Sequence, residues 1–448
     1  MHELEDPLPV PVLDGPFDAT IRPPGSKSIT CRAYLTAALA EGTSRIVRPL
    51  RAEDTDGLLH ALTTLGVKAA WDGESVEITG VAGRFPRGGR VDLGDGGTPA
   101  RFMLAAALLG CEPIEVDGSP RLRERPVAEG LAMLEHLGAT VTCLGEPNQL
   151  PVRIAPSSRP AGGRLTIEPT RSSQFISALL LVAPWLEGGV TLEHPHGMTS
   201  RSYVSLTVDL LRAWGVDVES RDDAPARQRV APGRVAARIY EVEPDASSAV
   251  YWWIAAAIGP AGSRAMVAIP RGSMQPDAQF PSAALAPLGA DVTTDEAGTS
   301  VTGRGGLRAP TGPLDLASMP DAAVGLGAAL ARADGPVTMT GLHTLAVKET
   351  DRLAALATEL QRLGCTVECT ADTLTVDPRT AHAAATTIET YHDHRMAMAF
   401  AVLGLARGGV RIDNPSCIGK SYPGFFADLR GLTGADATQA TPSRDGDL

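Results

Sequence analysis

The chain has 448 residues, so we expect two or three domains, because a single hydrophobic core rarely grows beyond about 300 residues. Hydrophobic residues make up 44% of the chain and charged residues 21%, which is typical of a soluble globular protein, and no apolar run is long enough for a membrane-spanning helix. The formal net charge of −12 argues against a nucleic-acid-binding surface, although a locally basic cleft could still bind small anions.

The N-terminal segment and the cysteines favour a cytoplasmic protein. The start, MHELEDPLPV, is acidic and interrupted by prolines, which argues against a signal or transit peptide. The six cysteines are scattered without the paired spacing of a metal site. We therefore expect a reducing compartment and no structural metal.

The first informative stretch is PPGSKSITCRAYLTAALAEG. Only four of the forty basic residues are lysines, and Lys27 is one of them. Ser26 or Ser28 could cap a helix that runs to about Glu41, which would place Lys27 at a helix N-terminus, where backbone N–H groups attract anions. Arg32 would lie on the same face as Ser28. A capped helix with solvated charges is the alternative.

A repeat follows along the chain, in which an amphipathic helical end, a glycine and a β-branched alternating run recur. The spacings between the five glycines are 72, 77, 74 and 75 residues. They are Gly66, Gly138, Gly215, Gly289 and Gly364. Glycine ends a helix at low cost because it adopts the left-handed conformation. A sixth unit would end near residue 434, so we predict an α/β (α+β) protein of six βαβ-type modules, three in each of two domains.

Polar residues stand at the entries of further predicted helices. In chain order the stretches are LGDGGTPARFMLAAALLG, with Arg101; SPRLRERPVAEGL, whose arginines precede a helix predicted to begin at Pro126; EPTRSSQFISALLLVAP; VKETDRLAALATELQRLG; YHDHRMAMAFAVLGLA; and NPSCIGKSYPGFF, with Lys420 in a loop. Each could be a plain turn, a helix cap or a solvated charged face. The His-Asp-His run at 392–394 also allows a metal interpretation, although no second cluster supports it.

Taken together, these stretches indicate a site for anionic small molecules between two domains. Lys348 stands beside Glu349, and two neighbouring groups of opposite charge can tune each other's pKa for proton transfer. The chain contains no G-x-S-x-G and no G-x-G-x-x-G motif, so esterase and dinucleotide-enzyme interpretations lack support.

Seven segments between about residues 21 and 426 resemble, in order, the 3-phosphoshikimate 1-carboxyvinyltransferase (EPSP synthase) family of enolpyruvyl transferases. They are PPGSKSITCRA, GDGGTPARF, PRLRERP, SSQFISALL, MPDAA, KETDRL and YHDHRMAM. The resemblance implies two domains of three βαβαββ units each, like an inverse α/β barrel, with the active site in the cleft between them. It also implies one domain of residues 1–24 plus 243–448 and another of residues 25–242, and the polar composition of the end of the chain predicts a disordered tail from about 436 to 448.

The resemblance further implies a reaction. The enolpyruvyl group of phosphoenolpyruvate would be transferred to the 5-hydroxyl of shikimate 3-phosphate, with release of phosphate, by addition and elimination through a tetrahedral intermediate. This step belongs to chorismate and aromatic amino acid biosynthesis. We expect no metal or organic cofactor, no nucleic-acid or membrane partner, and a monomer.

Site residues follow from the matching positions. The catalytic residues implied are Lys27, Asp321 and Glu349. Those implied to bind shikimate 3-phosphate are Lys27, Ser28, Arg32, Ser172, Ser173, Gln174, Ser200, Asp321, Thr344 and Lys348. Those implied to bind phosphoenolpyruvate are Lys27, Gly97, Arg125, Gln174, Arg352, Arg395 and Lys420.

The sequence departs from the family at two positions. Asp95 replaces a usual Asn, and its charge should oppose carboxylate binding unless Arg101 or another cation offsets it. Thr344 replaces an Asn that commonly contacts the shikimate phosphate. Gly97 leaves room for the inhibitor glyphosate, so we expect inhibition. For His394 we expect a structural, hydrogen-bonded histidine.

Two other functions are possible. The first is the related enolpyruvyl transferase acting on UDP-N-acetylglucosamine, whose early Lys-Asn pair and loop cysteine have no counterpart in Lys27-Ser28 and Cys111. The second is an anion-binding protein without turnover, which would be stabilised by its ligand but release no phosphate.

Overall fold

The computed structural model describes residues 4–157, 160–221 and 225–433. In this part of the chain there are twelve α-helices: α1 Lys27–Leu39, α2 Glu53–Thr64, α3 Gly97–Ala106, α4 Pro120–Glu124, α5 Ala128–His136, α6 Gln174–Val182, α7 Arg201–Ala213, α8 Ala246–Ile258, α9 Ala322–Ala329, α10 Arg352–Arg362, α11 His394–Arg407 and α12 Phe425–Gly431. None of the described helices is long and apolar enough to cross a membrane.

The strands of the described residues are β1 Leu8–Pro9, β2 Asp18–Ile21, β3 Thr43–Val47, β4 Lys68–Asp72, β5 Ser75–Thr79, β6 Gly89–Asp92, β7 Ile114–Asp117, β8 Thr140–Cys143, β9 Val152–Ala155, β10 Gly163–Thr166, β11 Val190–His194, β12 Val218–Arg221, β13 Ala226–Val230, β14 Ile239–Glu241, β15 Arg264–Val267, β16 Asp291–Thr294, β17 Thr299–Thr302, β18 Leu314–Asp315, β19 Val337–Thr340, β20 Thr366–Cys369, β21 Leu374–Asp377, β22 Thr386–Ile388 and β23 Val410–Ile412.

Five of the six described sheets share one topology. Their strand orders are β14-β3-β5-β4, β6-β7-β9-β8, β10-β11-β13-β12, β2-β15-β17-β16 and β18-β19-β21-β20. In each sheet the first two strands are parallel and the other two pairings are antiparallel. A parallel pair needs a long crossover, which a helix provides, and an antiparallel pair needs only a turn. The α/β prediction is confirmed, with open sheets and no closed barrel among the described residues.

The glycine repeat marks the same point in each of these units. All five glycines have left-handed φ values, between 78° and 97°. Four of them follow α2, α5, α7 and α10, and Gly289 follows a short π-helix at Pro281–Leu285 instead of an α-helix. A side chain would strain the backbone at these φ values, which explains why the sequence repeats glycine there.

The sixth unit is incomplete. Strands β22 and β23 are parallel, and β1, from the start of the chain, pairs with β23 in the antiparallel position that a hairpin strand holds in the other units. The terminal helix expected near residue 434 is α12, Phe425–Gly431. Gly434 and the tail predicted for 436–448 lie outside the described residues.

Two hydrophobic cores divide the molecule into two lobes. The core of the first lobe extends from Ile29 to Val242, and the core of the second lobe extends from Ala246 to Leu429 and includes Val10. Helices α1, α3 and α6 are buried inside the first lobe, and α8, α9 and α11 inside the second. These helices are apolar on nearly all sides because the sheets surround them.

The chain crosses between the lobes twice, and the two crossing segments are paired. Gly25 and Pro244 form an antiparallel bridge, flanked by hydrogen bonds of 2.8 Å from Ser26 N to the Glu243 carbonyl and from Asp245 N to the carbonyl of Pro24. The Asp245 carboxylate accepts from Lys27 N at the start of α1 and from Ser248 N in α8. One acidic side chain therefore caps a central helix in each lobe.

Candidate active site

The predicted site residues meet in one cleft between the lobes. The cleft contains about 890 Å³ of empty space, part of it open to solvent. The structure brings fifteen of the sixteen predicted residues to its wall: Lys27, Ser28, Arg32, Gly97, Arg125, Ser172, Ser173, Gln174, Ser200, Asp321, Thr344, Lys348, Glu349, Arg352 and Arg395. The sixteenth, Lys420, lies directly behind the wall, where its Nζ donates to Asp54 Oδ1 at 2.9 Å and to the carbonyl of Asp95 at 2.7 Å.

Five of the six central helices begin at this cleft. The lining includes Lys27 and Ser28 of α1, Gly97 and Thr98 of α3, Gln174 of α6, the N-cap Asp321 of α9 and Arg395 of α11. A helix N-terminus presents free N–H groups and the positive end of the helix dipole. Their convergence, together with the cationic side chains, makes the cleft suitable for ligands that carry several negative charges.

Lys27 forms a buried pair with Asp54. Its Nζ donates to Asp54 Oδ2 at 2.9 Å, and Lys420 binds the other carboxylate oxygen. Burial alone would lower the pKa of Lys27, but the charges of Asp54 and Glu349 outweigh that effect and raise it. Lys27, at the start of helix α1, therefore carries a protonated amine. Asp54 was not among the predicted site residues, because acidic residues such as those in EDTD are common in the first turn of a helix.

A buried arginine links the two acids proposed for proton transfer. Arg352, 1% exposed, donates to Asp321 Oδ1 at 3.1 Å and to Glu349 Oε2 at 2.7 Å. Asp393 receives two further hydrogen bonds from the same guanidinium, at 2.7 and 3.2 Å. Asp321 and Glu349 are therefore held at one cation, so their protonation states depend on each other.

Both acids are held in the ionised form by the cations around them. Burial would raise the pKa of Asp321, but Arg395, Lys348 and Arg352 lower it strongly. Arg395 Nη2 lies 3.0 Å from Asp321 Oδ2, and Lys348 Nζ lies 3.7 Å from Oδ1. The charge of Arg352 likewise holds the pKa of Glu349 well below its usual range, against the effect of burial. Each carboxylate can accept a proton, and an incoming anion that neutralises the surrounding cations raises the carboxyl pKa, so that each group holds a proton more readily.

Tyr203 is a further member of the site that the sequence analysis missed. Its hydroxyl donates to Asp321 Oδ2 at 3.1 Å, across the cleft from the first lobe. Burial and the nearby charge of Asp277 raise its pKa well above the usual value, so it stays a donor. No motif in the sequence singles out this tyrosine, which lies within the ordinary amphipathic helix α7.

Arg32 is arranged differently from a free ligand-binding arginine. It is 2% exposed, and its guanidinium donates to Thr207 Oγ1 at 2.8 Å, the carbonyl of Ser28 at 2.9 Å, Ser177 Oγ at 3.3 Å and the carbonyl of Tyr203 at 3.2 Å. Arg32 lines the cleft, but these four donors form hydrogen bonds with the protein itself. Its hydrogen bonds to the carbonyls of Ser28 and Tyr203 help to fix the backbone of these two cleft residues.

Arg125 packs against Gly97. An added Cβ at Gly97 would lie 2.3 Å from Arg125 Nη1, too close for any real contact. Arg101 approaches from the other side and donates to the Gly97 carbonyl at 3.1 Å and the Pro126 carbonyl at 3.2 Å. The helix predicted at Pro126 begins at Ala128, and the arginines expected before it, Arg121 and Arg123, lie in the separate short helix α4, which is a correction to the predicted boundary.

The two departures from the family have different surroundings. Asp95 is exposed, and its carboxylate accepts a hydrogen bond from Ser119 outside the cleft lining, while only its carbonyl meets Lys420. Thr344 lines the cleft, is 6% exposed, and its Oγ1 has no hydrogen-bond partner among the described residues. A buried hydroxyl without a partner is free to bond a ligand oxygen.

His394 is buried at the start of α11, as expected, but it is not hydrogen-bonded. Both ring nitrogens lack a hydrogen-bond partner within the described part of the chain. Burial and the positive charge of Lys27 hold its pKa well below the usual value, so the ring is neutral. In the described ranges no group of three or more His, Cys, Asp or Glu is placed to hold a metal ion.

Asp277 is a buried acid near the cleft whose titration should be measurable. Burial, and next the charge of Asp321, raise its pKa to about 7. Its carboxylate accepts from Ser247 Oγ, while Oδ1 has no partner among the described residues. Because the folded pKa exceeds the unfolded value of 3.8, folding binds a proton, and stability is lost as pH rises from about 4 to 7.

We therefore predict that Asp277→Asn stabilises the protein at neutral pH. The gain over wild type should be small near pH 4, should grow to pH 7 and level off above pH 8, reaching about 4 kcal/mol. Urea denaturation at pH 5, 6, 7 and 8 measures the free energy of unfolding. A constant difference between the variants across this range would contradict the raised pKa.

Comparisons with known proteins agree with this geometry. A family profile described as EPSP synthase (3-phosphoshikimate 1-carboxyvinyltransferase) matches residues 14–429. A 3-phosphoshikimate 1-carboxyvinyltransferase of Methanoculleus marisnigri is 41% identical over 420 residues, 93% of this chain and 97% of the relative. The solved structure of EPSP synthase from Acinetobacter baumannii superimposes with a TM-score of 0.76 at 25% identity, covering 95% of this chain and 97% of that one. The enolpyruvyl transferase NikO from Streptomyces tendae shares the fold, with a TM-score of 0.73 at 20% identity over 96% and 98%.

Proposed function

Since the chain belongs to the EPSP synthase family, we propose that its cleft binds shikimate 3-phosphate and phosphoenolpyruvate side by side and that Lys27, Asp321 and Glu349 move the protons. The enzyme transfers the enolpyruvyl group of phosphoenolpyruvate to shikimate 3-phosphate, in the shikimate pathway. The observation that supports the roles proposed here is that two acids and a buried amine from both lobes face one strongly cationic cleft.

Shikimate 3-phosphate would lie against the hydroxyl groups and Lys348. Ser172, Ser173, Ser200 and Thr344 offer hydroxyls to phosphate oxygens, and Lys348 adds a positive charge. Burial lowers the pKa of Lys348, although Asp321 opposes that effect. Ser28, Gln174, Lys27 and Asp321 are further predicted contacts, and Arg32, predicted to bind as well, would also support Ser28 through its backbone carbonyl.

Phosphoenolpyruvate would occupy the arginine-rich part. Arg125, Arg352 and Arg395 can pair with its carboxylate and phosphate through forked, charge-assisted hydrogen bonds. Gly97 leaves the space in which the Arg125 guanidinium lies. Lys420 would reach the ligand only by releasing Asp54 or the Asp95 carbonyl, so its predicted role requires a rearrangement on binding.

The reaction needs a base and an acid at the same time. The 5-hydroxyl oxygen attacks C2 of phosphoenolpyruvate and loses its proton, while C3 gains a proton, which gives the tetrahedral intermediate. In the second half a proton leaves C3 and the C2–O bond to phosphate breaks with its electron pair on oxygen. Asp321 and Glu349 would exchange the roles of acid and base between the halves, and Lys27 would relay a proton and balance charge.

The acceptor distinguishes this proposal from its alternatives. Purified protein should release phosphate from phosphoenolpyruvate when shikimate 3-phosphate is present and should produce a compound heavier by one enolpyruvyl group, measured by mass spectrometry. Release with UDP-N-acetylglucosamine instead would favour the related transferase. Thermal stabilisation by the ligands without phosphate release would favour the anion-binding protein.

Gly97→Ala tests the proposed phosphoenolpyruvate subsite. The new Cβ would displace the Arg125 guanidinium, so the KM for phosphoenolpyruvate should rise about tenfold, equivalent to about 1.4 kcal/mol, while the Kd of shikimate 3-phosphate stays within about twofold. Glyphosate should inhibit wild type and inhibit the variant less. Gly57→Ala is the control, because a Cβ there meets open space within 4 Å. Equal KM values for wild type and Gly97→Ala would contradict the placement.

We further propose the domain boundaries 24/25 and 242/243, a monomer, and a cytoplasmic location. The two cores and the paired crossing segments support these boundaries. Protease sites introduced at both boundaries test them, because cleavage at 24/25 and at 242/243 together should release residues 25–242 as a folded fragment, and rapid further digestion of that fragment would contradict the boundaries.

A further inference from the structure

We propose that Arg121 is a positioning residue for this reaction: it reaches across the cleft from the first lobe and holds the backbone of Glu349 when the lobes are closed. No site assignment made above includes it. The inference rests on the proposed function in one respect, the proton-transfer role of Glu349.

The Arg121 guanidinium joins the two lobes at the mouth of the cleft. Its Nε donates to the carbonyl oxygen of Glu349 at 2.8 Å. Its Nη1 donates to Glu124 Oε2 at 2.7 Å within the first lobe. The contact with Glu124 orients the guanidinium, so that Nε is directed at the opposite lobe.

The segment that contains Glu349 is not stabilised by regular secondary structure. Glu349 lies between a short 3₁₀-helix at Leu345–Val347 and α10, in a segment that is neither helix nor strand. Its carboxylate is held by Arg352 Nη2 at 2.7 Å. The contact from Arg121 therefore adds a second fixed point at the backbone, and a displacement of about 1 Å at a reacting group can slow catalysis about a hundredfold.

Helix α4 connects this contact to the ligand site. Leu122, 1% exposed, anchors α4 in the core of the first lobe, and Arg125 follows directly and lines the cleft. Because α4 is fixed to the first lobe, a movement of that lobe toward the second carries Arg121 and Arg125 together. This arrangement would make the acid complete only in the closed enzyme.

Other contacts also cross the cleft, but they differ in kind. Ser202 Oγ donates to the Ser318 carbonyl at 2.7 Å and so binds neither acid. The contacts of Tyr203 and Lys420 involve residues already placed in the site. Arg121 differs from these because its side chain is 46% exposed and it binds the backbone of a proposed proton-transfer residue.

The same helix offers a matched control. Arg123 is 40% exposed, but its Nε and Nη2 bind Asp117 of its own lobe at 2.8 and 2.7 Å. In Arg123→Ala, Asp117 keeps Arg90 Nη2 at 2.6 Å and the Gly118 N–H at 2.7 Å, so the fold should survive. Both substitutions remove one surface arginine from α4, and only Arg121→Ala removes a contact with Glu349.

The test is steady-state phosphate release with both substrates, together with calorimetric binding of shikimate 3-phosphate. Arg121→Ala should lower kcat roughly ten- to hundredfold, the range expected for a hydrogen bond from a charged donor, with the Kd of shikimate 3-phosphate within about twofold of wild type. Arg121→Lys, which keeps a charged donor, should recover part of the lost kcat. Arg123→Ala should retain the wild-type kcat.

A double-variant cycle locates the effect. If Arg121 acts through Glu349, Arg121→Ala should cost little further activity in a Glu349→Gln background. Full activity of Arg121→Ala, beside an impaired Glu349→Gln, would overturn the inference and leave the proposed function intact, as would equal losses in Arg121→Ala and Arg123→Ala. Absence of phosphate release by wild type would overturn both.

Discussion

Replacing Glu349 with glutamine is expected to lower kcat by about 10²- to 10⁴-fold, the usual contribution of a positioned acid or base. Glutamine keeps the size of the side chain and can still accept a hydrogen bond from Arg352, but it cannot exchange a proton. The Kd of shikimate 3-phosphate should therefore stay within about threefold of wild type, since the loss lies in the chemical step. Phosphate release and calorimetric titration measure the two quantities.

A matched control is Glu368→Gln, an exposed glutamate in β20 of the same lobe. It makes the same chemical change without touching the cleft, and its kcat should equal that of wild type. A Glu349→Gln enzyme with wild-type kcat would contradict the proton-transfer role, whereas weakened binding with unchanged kcat would make Glu349 a binding residue only.

Lys27→Met is expected to reduce kcat/KM by about 10³-fold or more, because it removes a positive charge between the proposed substrates together with a proton relay. The variant should remain folded, since Asp54 keeps its hydrogen bond to Lys420. Lys27→Arg should restore substrate binding more than kcat, because a guanidinium keeps the charge but does not give up its proton.

The control for Lys27→Met is Lys68→Met. Lys68 is an exposed lysine on β4 and belongs to none of the predicted site motifs. This control should have wild-type kinetics. If Lys27→Arg recovered both KM and kcat fully, the amine would serve only as a charge, and the relay role would be rejected.

The helix ends and the unit repeat could be predicted from the sequence because they are local. Gly66 and its four counterparts stand where the chain leaves a helix and takes a left-handed conformation, which glycine adopts at low cost, so their spacing indicates the unit repeat. Pairings between distant segments leave no such mark: the insertion of β14 beside β3 and of β1 beside β23 depends on which edges remain open after the units fold. The incomplete sixth unit could not be foreseen for the same reason.

The site residues also divide into those that the local sequence predicts and those that depend on tertiary contacts. Lys27, Gly97 and Gln174 could be singled out because polar residues at helix entries stand out in the sequence, and all three line the cleft. Asp54 and Tyr203 were missed because their importance comes from partners more than twenty residues away. Such pairings depend on tertiary structure, which no motif records.

Burial also changed what individual residues can do. Arg32 was expected to bind a ligand, and four of its five N–H donors are taken by protein acceptors, which leaves one Nη1 donor for a ligand. His394 was expected to be hydrogen-bonded, yet both ring nitrogens lack a partner among the described residues, and its lowered pKa keeps the buried ring neutral. Residue type predicts which chemistry is possible, and the packing determines whether a group is free to perform it.

The most direct test of the account is a single-turnover experiment with enzyme in excess over shikimate 3-phosphate and phosphoenolpyruvate, quenched and followed by phosphorus NMR. Wild type should convert both substrates to inorganic phosphate and the enolpyruvyl product in equal amounts. Glu349→Gln and Lys27→Met should bind shikimate 3-phosphate and leave the phosphoenolpyruvate unchanged on the same time scale. Product formation at the wild-type rate in both variants would contradict the claim that acids and an amine from the two lobes act as one site.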